Sequence, residues 1–185
     1  MIGFAMCGSF CTHNNALETL RALTQKHEVI PILSNTAATT DTRFGNCSDL
    51  IASLEDICGC SVVKTITDAE PLGPKIALDA IVICPCTGNT LAKLACAITD
   101  TPVCMAAKAH LRCNRPLVIA LATNDALSAN FSNIGTMASR KNVFFVPFSQ
   151  DSPLTKPHSL VADFSLVPQA LEHALKGEQL QPILA

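Results

Sequence analysis

Tryptophan and tyrosine are both absent from this chain, and only 15% of its residues are charged. Without those rings, and with a formal net charge of −2, it has neither a base-stacking surface nor the basic footprint that nucleic acid requires. No apolar run approaches the ~20 residues of a membrane helix. Met1-Ile2-Gly3-Phe4-Ala5 is apolar but carries no charged n-region and runs straight into a loop, so no targeting segment is expected. These absences predict a cytoplasmic protein with no nucleic-acid and no membrane partner. The sequence also lacks G-x-G-x-x-G, G-x-x-x-x-G-K-[ST] and C-x-x-C, so the standard dinucleotide, P-loop and zinc spacings are missing.

Apolar residues are abundant, at 49% of 185. That length predicts one domain, and the composition suits strands buried on both faces. Scarce charge leaves much of the surface apolar, which predicts contact between subunits. Ten cysteines are present. Disulfides are not expected in a cytosolic chain, and most of the cysteines lie in apolar runs, where a thiol acts as a small hydrophobe. A metal or redox role is the alternative, but no metal site is expected because no histidine stands at ligand spacing.

The chain is organised around Ile81-Val82-Ile83-Cys84-Pro85-Cys86-Thr87-Gly88-Asn89-Thr90-Leu91-Ala92-Lys93-Leu94-Ala95. An apolar strand ends at proline, a polar loop spans Cys86 to Thr90, and a helix then presents Leu91, Leu94 and Ala95 on one face and Lys93 on the other. A helix start supplies unpaired N–H groups and the positive end of a dipole. Thr87, Asn89 and Thr90 add side-chain donors, and Gly88 lets a ligand approach the backbone. A plain helix cap is the competing explanation.

Strand and helix alternate along the whole chain. Strands are expected at Ile2–Met6, Glu28–Leu33, Ala80–Cys84, Leu117–Leu121 and Val143–Val146, with a short one at Val62-Val63. A helix carrying Ala16, Leu17, Leu20 and Leu23 opens with an Asn15/Glu18 capping box. Others contain Leu50 to Ile57, Pro102 to Leu111, and a C-terminal stretch near 165–176 with Ser165 as N-cap. Residues near 147–158 hold three prolines and form a surface loop or partner-binding arm. The prediction is an α/β fold: a doubly wound parallel sheet in a flavodoxin- or Rossmann-like three-layer sandwich, as a single domain over 1–185.

Ligands of such sheets bind beyond the strand C-termini. Four small polar loops are expected there: Gly8/Ser9, Ser34/Thr36, Thr87/Asn89/Thr90 and Thr123/Asn124. They predict a phosphate or phosphate-bearing cofactor held by hydroxyls and N–H groups with little help from cations. The binding residues would be Gly8, Ser9, Ser34, Thr87, Gly88, Asn89 and Thr90. Arg43 is a candidate carboxylate clamp and Asn124 a second substrate contact; a solvated Arg43 is the alternative. Lys75 and Lys108 are weaker candidates, each read first as surface charge. His13 is placed beside the first loop, either as a general acid or base or as a structural residue. Asp125 either orients a ligand or caps the next helix. No catalytic residue is assigned.

Pro85-Cys86-Thr87-Gly88-Asn89-Thr90-Leu91-Ala92-Lys93-Leu94-Ala95, with Ile98-Thr99-Asp100 behind it and Gly8-Ser9 in the first loop, resembles the P-A-[ST]-A-N-T-x-x-K-x-A signature of the FMN-binding cysteine decarboxylase superfamily. The resemblance covers roughly residues 2 to 146 and implies a flavoprotein-like domain with FMN, or phosphate alone, in the polar pocket. It also implies trimer-based homo-oligomers. Departures are clear. The peptidyl-cysteine decarboxylases carry a histidine shortly before this strand, and Lys64 to Cys84 contains none. Their P-A-M-N is replaced by Leu121-Ala122-Thr123-Asn124. The decarboxylation machinery is therefore expected to be absent.

Further stretches span almost the whole chain: Thr42-Arg43-Phe44-Gly45, Ala69 to Lys75, Met105 to Ala109, Asn114-Arg115-Pro116, Thr123 to Leu127 and Gln179 to Leu184. They resemble a narrower family, the B subunits of dipicolinate synthase. That resemblance implies an oxidoreductase subunit converting dihydrodipicolinate, a small dicarboxylate, to dipicolinate in the mother cell of a sporulating bacterium. It implies a partner A subunit, through which alone NAD(P) enters. A non-catalytic partner of the A subunit, and an independent FMN-dependent decarboxylase or prenyltransferase, remain as alternatives.

Overall fold

The computed structural model describes residues 1–184. Five parallel strands make up most of a seven-stranded sheet: β1 (Ile2–Met6), β2 (Val29–Leu33), β3 (Ala80–Cys86), β4 (Leu117–Thr123) and β5 (Val143–Phe145). β1 lies between β2 and β3, and β4 follows β3. Strand order reverses at β1, which opens a crevice at the C-terminal ends of β1 and β3. The register is regular, with Phe4 beside Pro31 on one side and Val82 on the other.

Every residue of β1 and β3 is buried. Their unbroken apolar sequences therefore face helices on both sides rather than alternating between core and water. Helices α1 (His13–Thr24) and α8 (Val167–Ala174) pack together against the central strands, as do α5 (Gly88–Ala95) and α6 (Pro102–Leu111). The doubly wound α/β fold is the one expected.

Several local expectations are corrected. Residues 147–158 are not a loop: β6 (Phe148–Ser152) and β7 (Lys156–Ala162) form an antiparallel hairpin. β7 pairs with the end of β4, at Ala122 and Thr123, while β5 occupies β4's first half. Most of the hairpin is exposed, so its polar side chains carry no period-2 apolar signal. Its turn is tied by the Lys156–Asp151 ion pair.

The capping box at Asn15/Glu18 does not form. A 3-10 turn at Phe10–Thr12 leads directly into α1, whose first residue is His13. Ser34 to Ala37 is no loop either: Ser34 caps the five-residue helix α2 (Asn35–Thr39), accepting from the Ala37 N–H. Val63 makes only a bridge to Ile32. α3 (Cys47–Cys58) ends at Gly59, which is left-handed with φ 68°. The short α4 (Ile66–Ala69), capped by Thr65, was not anticipated. Ser165 does not cap α8: it lies in a 3-10 turn, Phe164–Leu166, whose own cap is Asp163, which accepts from both the N–H and the hydroxyl of Ser165.

Candidate functional site

The crevice is built where β1, β2 and β3 end. The Ser34 N–H donates to the Met6 carbonyl, and the Cys7 N–H donates to the Pro85 carbonyl. These bonds hold three loops side by side. Thr87 then caps α5, its Oγ1 accepting the Thr90 N–H at 3.3 Å. The helix opens at Gly88, so Asn89 and Thr90 lie in its first turn rather than in a preceding loop. Thr101 caps α6 in the same way through Cys104. Threonine suits these positions because its hydroxyl satisfies an N–H that the helix leaves without a partner.

The result is a cavity of about 460 Å³. Gly8, Ser34, Asn35 and Thr36 line one side; Thr87, Asn89, Thr90, Lys93, Asp100 and Thr101 line the other. Of the predicted binding residues, Gly8, Ser34, Thr87, Asn89 and Thr90 are brought together there. Ser9 and Gly88 are not part of the lining. Gly88 is buried, and a Cβ on it would lie 2.5 to 2.7 Å from Asn130 Nδ2, Thr123 Oγ1 and Asp125 Oδ1. The absence of a Cβ is required there by packing against Thr123, Asp125 and Asn130 where β4 ends and in the loop after it.

Beneath the cavity a relay of hydroxyls runs into the core. Thr87 Oγ1 donates to Thr90 Oγ1 at 3.2 Å, and Thr90 Oγ1 donates to Cys7 Sγ at 3.3 Å. Burial pushes the Cys7 thiol up to about 12, and Cys84 and Cys86 are raised well above the usual thiol range by the same desolvation. With Cys104 these are the four buried cysteines. They serve as small apolar fillers that remain protonated. The same reading does not extend to Cys11, Cys60 and Cys96, which are exposed. Among the described residues no group of three His, Cys, Asp or Glu side chains is placed to hold a metal ion.

The remaining predicted residues lie elsewhere. Asn124 is exposed and does not line the cavity. Arg43 is also exposed, its guanidinium 4.8 Å above the Phe44 ring, on the turn closed by Thr42 and Gly45. That turn borders a second, smaller cavity of about 140 Å³, lined in part by Phe10, His13, Asn14, Thr42, Phe44 and Asp49. His13 lines that cavity; its Nε2–H donates to the Cys7 carbonyl at 2.8 Å, and burial lowers its pKa. Asp125 neither meets the cavity nor caps α7 (Phe131–Ala138). It accepts from Thr123 Oγ1 and Asn130 Nδ2 and braces the loop against Gly88. Lys75 and Lys108 are exposed and outside the cavity.

Sequence reasoning missed Lys93, Asp100 and Thr101. Lys93 faces the cavity, with Nζ 2.8 and 2.9 Å from the two Asp100 carboxylate oxygens. Its position four residues after Asn89 was the available signal, since i and i+4 share a helix face.

The donor set fits a phosphate. Asn35, Thr36 and Asn89 are exposed and have no side-chain partner among the described residues, and the α5 N-terminus adds its N–H groups. Gly8 keeps the first loop close: a Cβ there would come within 3.2 Å of Thr36.

A family model described as Flavoprotein matches residues 1–163. A relative from Bacillus subtilis (strain 168), the B subunit of dipicolinate synthase, is 47% identical over 184 residues, covering 99% of this chain and 92% of its own length. The crystal structure of the dipicolinate synthase B subunit from Bacillus halodurans C superposes with a TM-score of 0.91 at 44% identity, covering 100% of this chain and 95% of that one. The FMN-dependent cysteine decarboxylase SpaF shares the fold, with a TM-score of 0.68 at 21% identity over 94% of this chain and 95% of its own. The chain belongs to the Flavoprotein family and, within it, to the group of dipicolinate synthase B subunits.

Proposed function

We propose that this member of the Flavoprotein family acts as the B subunit of a dipicolinate synthase, joining a nicotinamide-binding A subunit in oxidising dihydrodipicolinate to dipicolinate. The observation that carries the reading is identity of 47% along 99% of the chain to a protein of that name. Motifs and crevice alone support only an anion-binding flavoprotein fold.

The crevice is the place for FMN or for phosphate alone. Thr36, Asn89 and the first N–H groups of α5 would hold the phosphate, with Gly8 and Ser34 shaping its cradle and Ser9 at the margin. A bound flavin would supply an acceptor for electrons in an oxidation. This chain's own contribution is to bind the anion, keep water-exposed donors aimed at it, and hold the floor rigid through Thr87, Thr90 and Cys7. None of its residues is assigned a proton transfer. Residues 1–185 act as one domain, in a trimer-based homo-oligomer. Exposed Phe131 and Ile98, 62% and 46% accessible, support subunit contact. The setting is the cytoplasm of a sporulating mother cell.

The test is turnover of dihydrodipicolinate by this chain alone, by an A subunit alone and by the two mixed. Turnover only in the mixture, or strongly enhanced there, is expected. An A subunit equally active with and without this chain overturns a catalytic contribution and leaves a non-catalytic partner. Purified protein with flavin absorbance supports FMN over phosphate alone.

A further inference from the structure

The charges of the crevice carry a consequence for the substrate. A pyridine or dihydropyridine dicarboxylate brings two negative charges. A binding site that strips them of water has to return comparable stabilisation, usually with Arg or Lys. The crevice has one cation in its lining, Lys93, and both oxygens of Asp100 already hold it. Asp125 adds a carboxylate directly behind the start of α5, against Gly88. The cavity of about 140 Å³ bordered by the Thr42–Gly45 turn has Asp49 in its wall and, as its one basic side chain, His13, whose burial favours the neutral form. Arg43 is stacked on Phe44 and belongs to neither lining. Hydroxyls and amides can hold one phosphate here. They do not balance two carboxylates.

We propose that the dicarboxylate is held in the complex and not by this chain alone: the A subunit closes over the crevice and supplies the cationic side chains that pair with the carboxylates. This rests on the B-subunit reading. Complementarity selects the occupant, because the open crevice is polar, rich in acceptors and donors, and without an unpaired cation among the described residues that line it. A partner surface carrying Arg or Lys would meet Asp100 and the substrate together.

The experiment is calorimetric titration of dipicolinate into this chain, into an A subunit and into the equimolar mixture, with dihydrodipicolinate turnover measured on the same mixture. Binding at least tenfold tighter in the mixture than in either chain is expected. Affinity by this chain alone equal to that of the mixture, with turnover intact, overturns the proposal and leaves the B-subunit reading standing. A mixture that neither associates nor turns over overturns that reading, and with it the role of the A subunit. The charge account is then decided by Asp100→Asn, an exposed substitution that frees Lys93. In titrations with inorganic phosphate and with dipicolinate, the variant chain alone is expected to bind each about tenfold more tightly than wild type. Unchanged affinity for both means that Lys93 was not neutralised by Asp100 and refutes the charge argument.

Discussion

The floor of the crevice and its rim are made from adjacent residues but obey different physics. The floor is β1, β3 and the thiols of Cys7, Cys84, Cys86 and Cys104, packed with essentially no exposure. The rim is Asn35, Thr36 and Asn89, without side-chain partners among the described residues. Packing fixes the floor's geometry, so floor residues report on stability. The rim is free to exchange water for a ligand, so rim residues should report on binding. Thr87 and Thr90 join the two, since one caps α5 and the other reaches Cys7.

The largest effect should come from breaking the floor. Ile83 is fully buried in β3, paired in register with Ala5 and Ile119. Ile83→Ala should cost about 2–5 kcal/mol, through lost burial and the cavity left behind. Denaturant titration measures it. A cost below about 1 kcal/mol would mean that the floor repacks freely.

The next effect is a dependence on pH. His110 in α6 is fully buried; its Nε2–H faces the Pro116 carbonyl at 3.0 Å and its Nδ1 has no partner. Burial, chiefly, lowers its pKa from 6.5 to about 4, and Arg115 adds to the effect. Below pH 6.5 the unfolded chain takes up a proton that the folded chain refuses. Stability therefore falls as pH drops from 6.5 to about 4, by ~1.4 kcal/mol per pH unit and roughly 3 kcal/mol in all. His110→Leu should flatten that limb, because the Pro116 carbonyl still accepts from the Ile81 N–H. Melting curves across pH 4–7 for both proteins check this, and parallel acid limbs would remove His110 as the cause.

Two glycines sharpen the contrast further. Gly88→Ala drives a methyl into the Thr123, Asp125 and Asn130 network and should destabilise by about 1–3 kcal/mol. Gly135 lies inside α7 with nothing within 4 Å of a Cβ. Gly135→Ala should instead stabilise by about 0.5–1 kcal/mol, as helix propensity alone predicts. Thermal melts of the pair should move in opposite directions.

What the sequence made legible follows the same division. The floor was readable because continuous apolar runs such as Ile2–Met6 and Ala80–Cys84 have few other uses. The β6–β7 hairpin was not, because Ser149, Gln150 and Asp151 face solvent and show no alternation. The crevice residues Gly8, Ser34, Thr87, Asn89 and Thr90 were readable from loop chemistry at strand ends. The Lys93–Asp100 pair was missed by placing Lys93 on the far helix face, although the pair determines the charge of the cavity. The packing constraint on Gly88 was not legible: it comes from Asp125 and Asn130, far along the chain, and no local pattern reports such a contact.

The smallest effect on stability should be at the rim, where it best separates cap from ligand site. Thr87 and Asn89 stand two residues apart at the start of α5. Thr87 Oγ1 accepts the Thr90 N–H, while Asn89 has an exposed amide and no partner among the described residues. Thr87→Ala removes a cap and should cost about 1 kcal/mol of stability. Asn89→Ala should stay within about 0.5 kcal/mol, as surface changes usually do. Binding should reverse the ranking. A hydrogen bond from Asn89 to a phosphate oxygen contributes on the order of 1.5–3 kcal/mol, so Asn89→Ala should weaken phosphate or FMN by at least about tenfold. Thr87→Ala should weaken it less than its loss of stability suggests, because its hydroxyl already serves the helix. Parallel melts and titrations of the two variants test this. If Asn89→Ala binds like wild type while Thr87→Ala loses stability, α5 begins with a cap and no anion site.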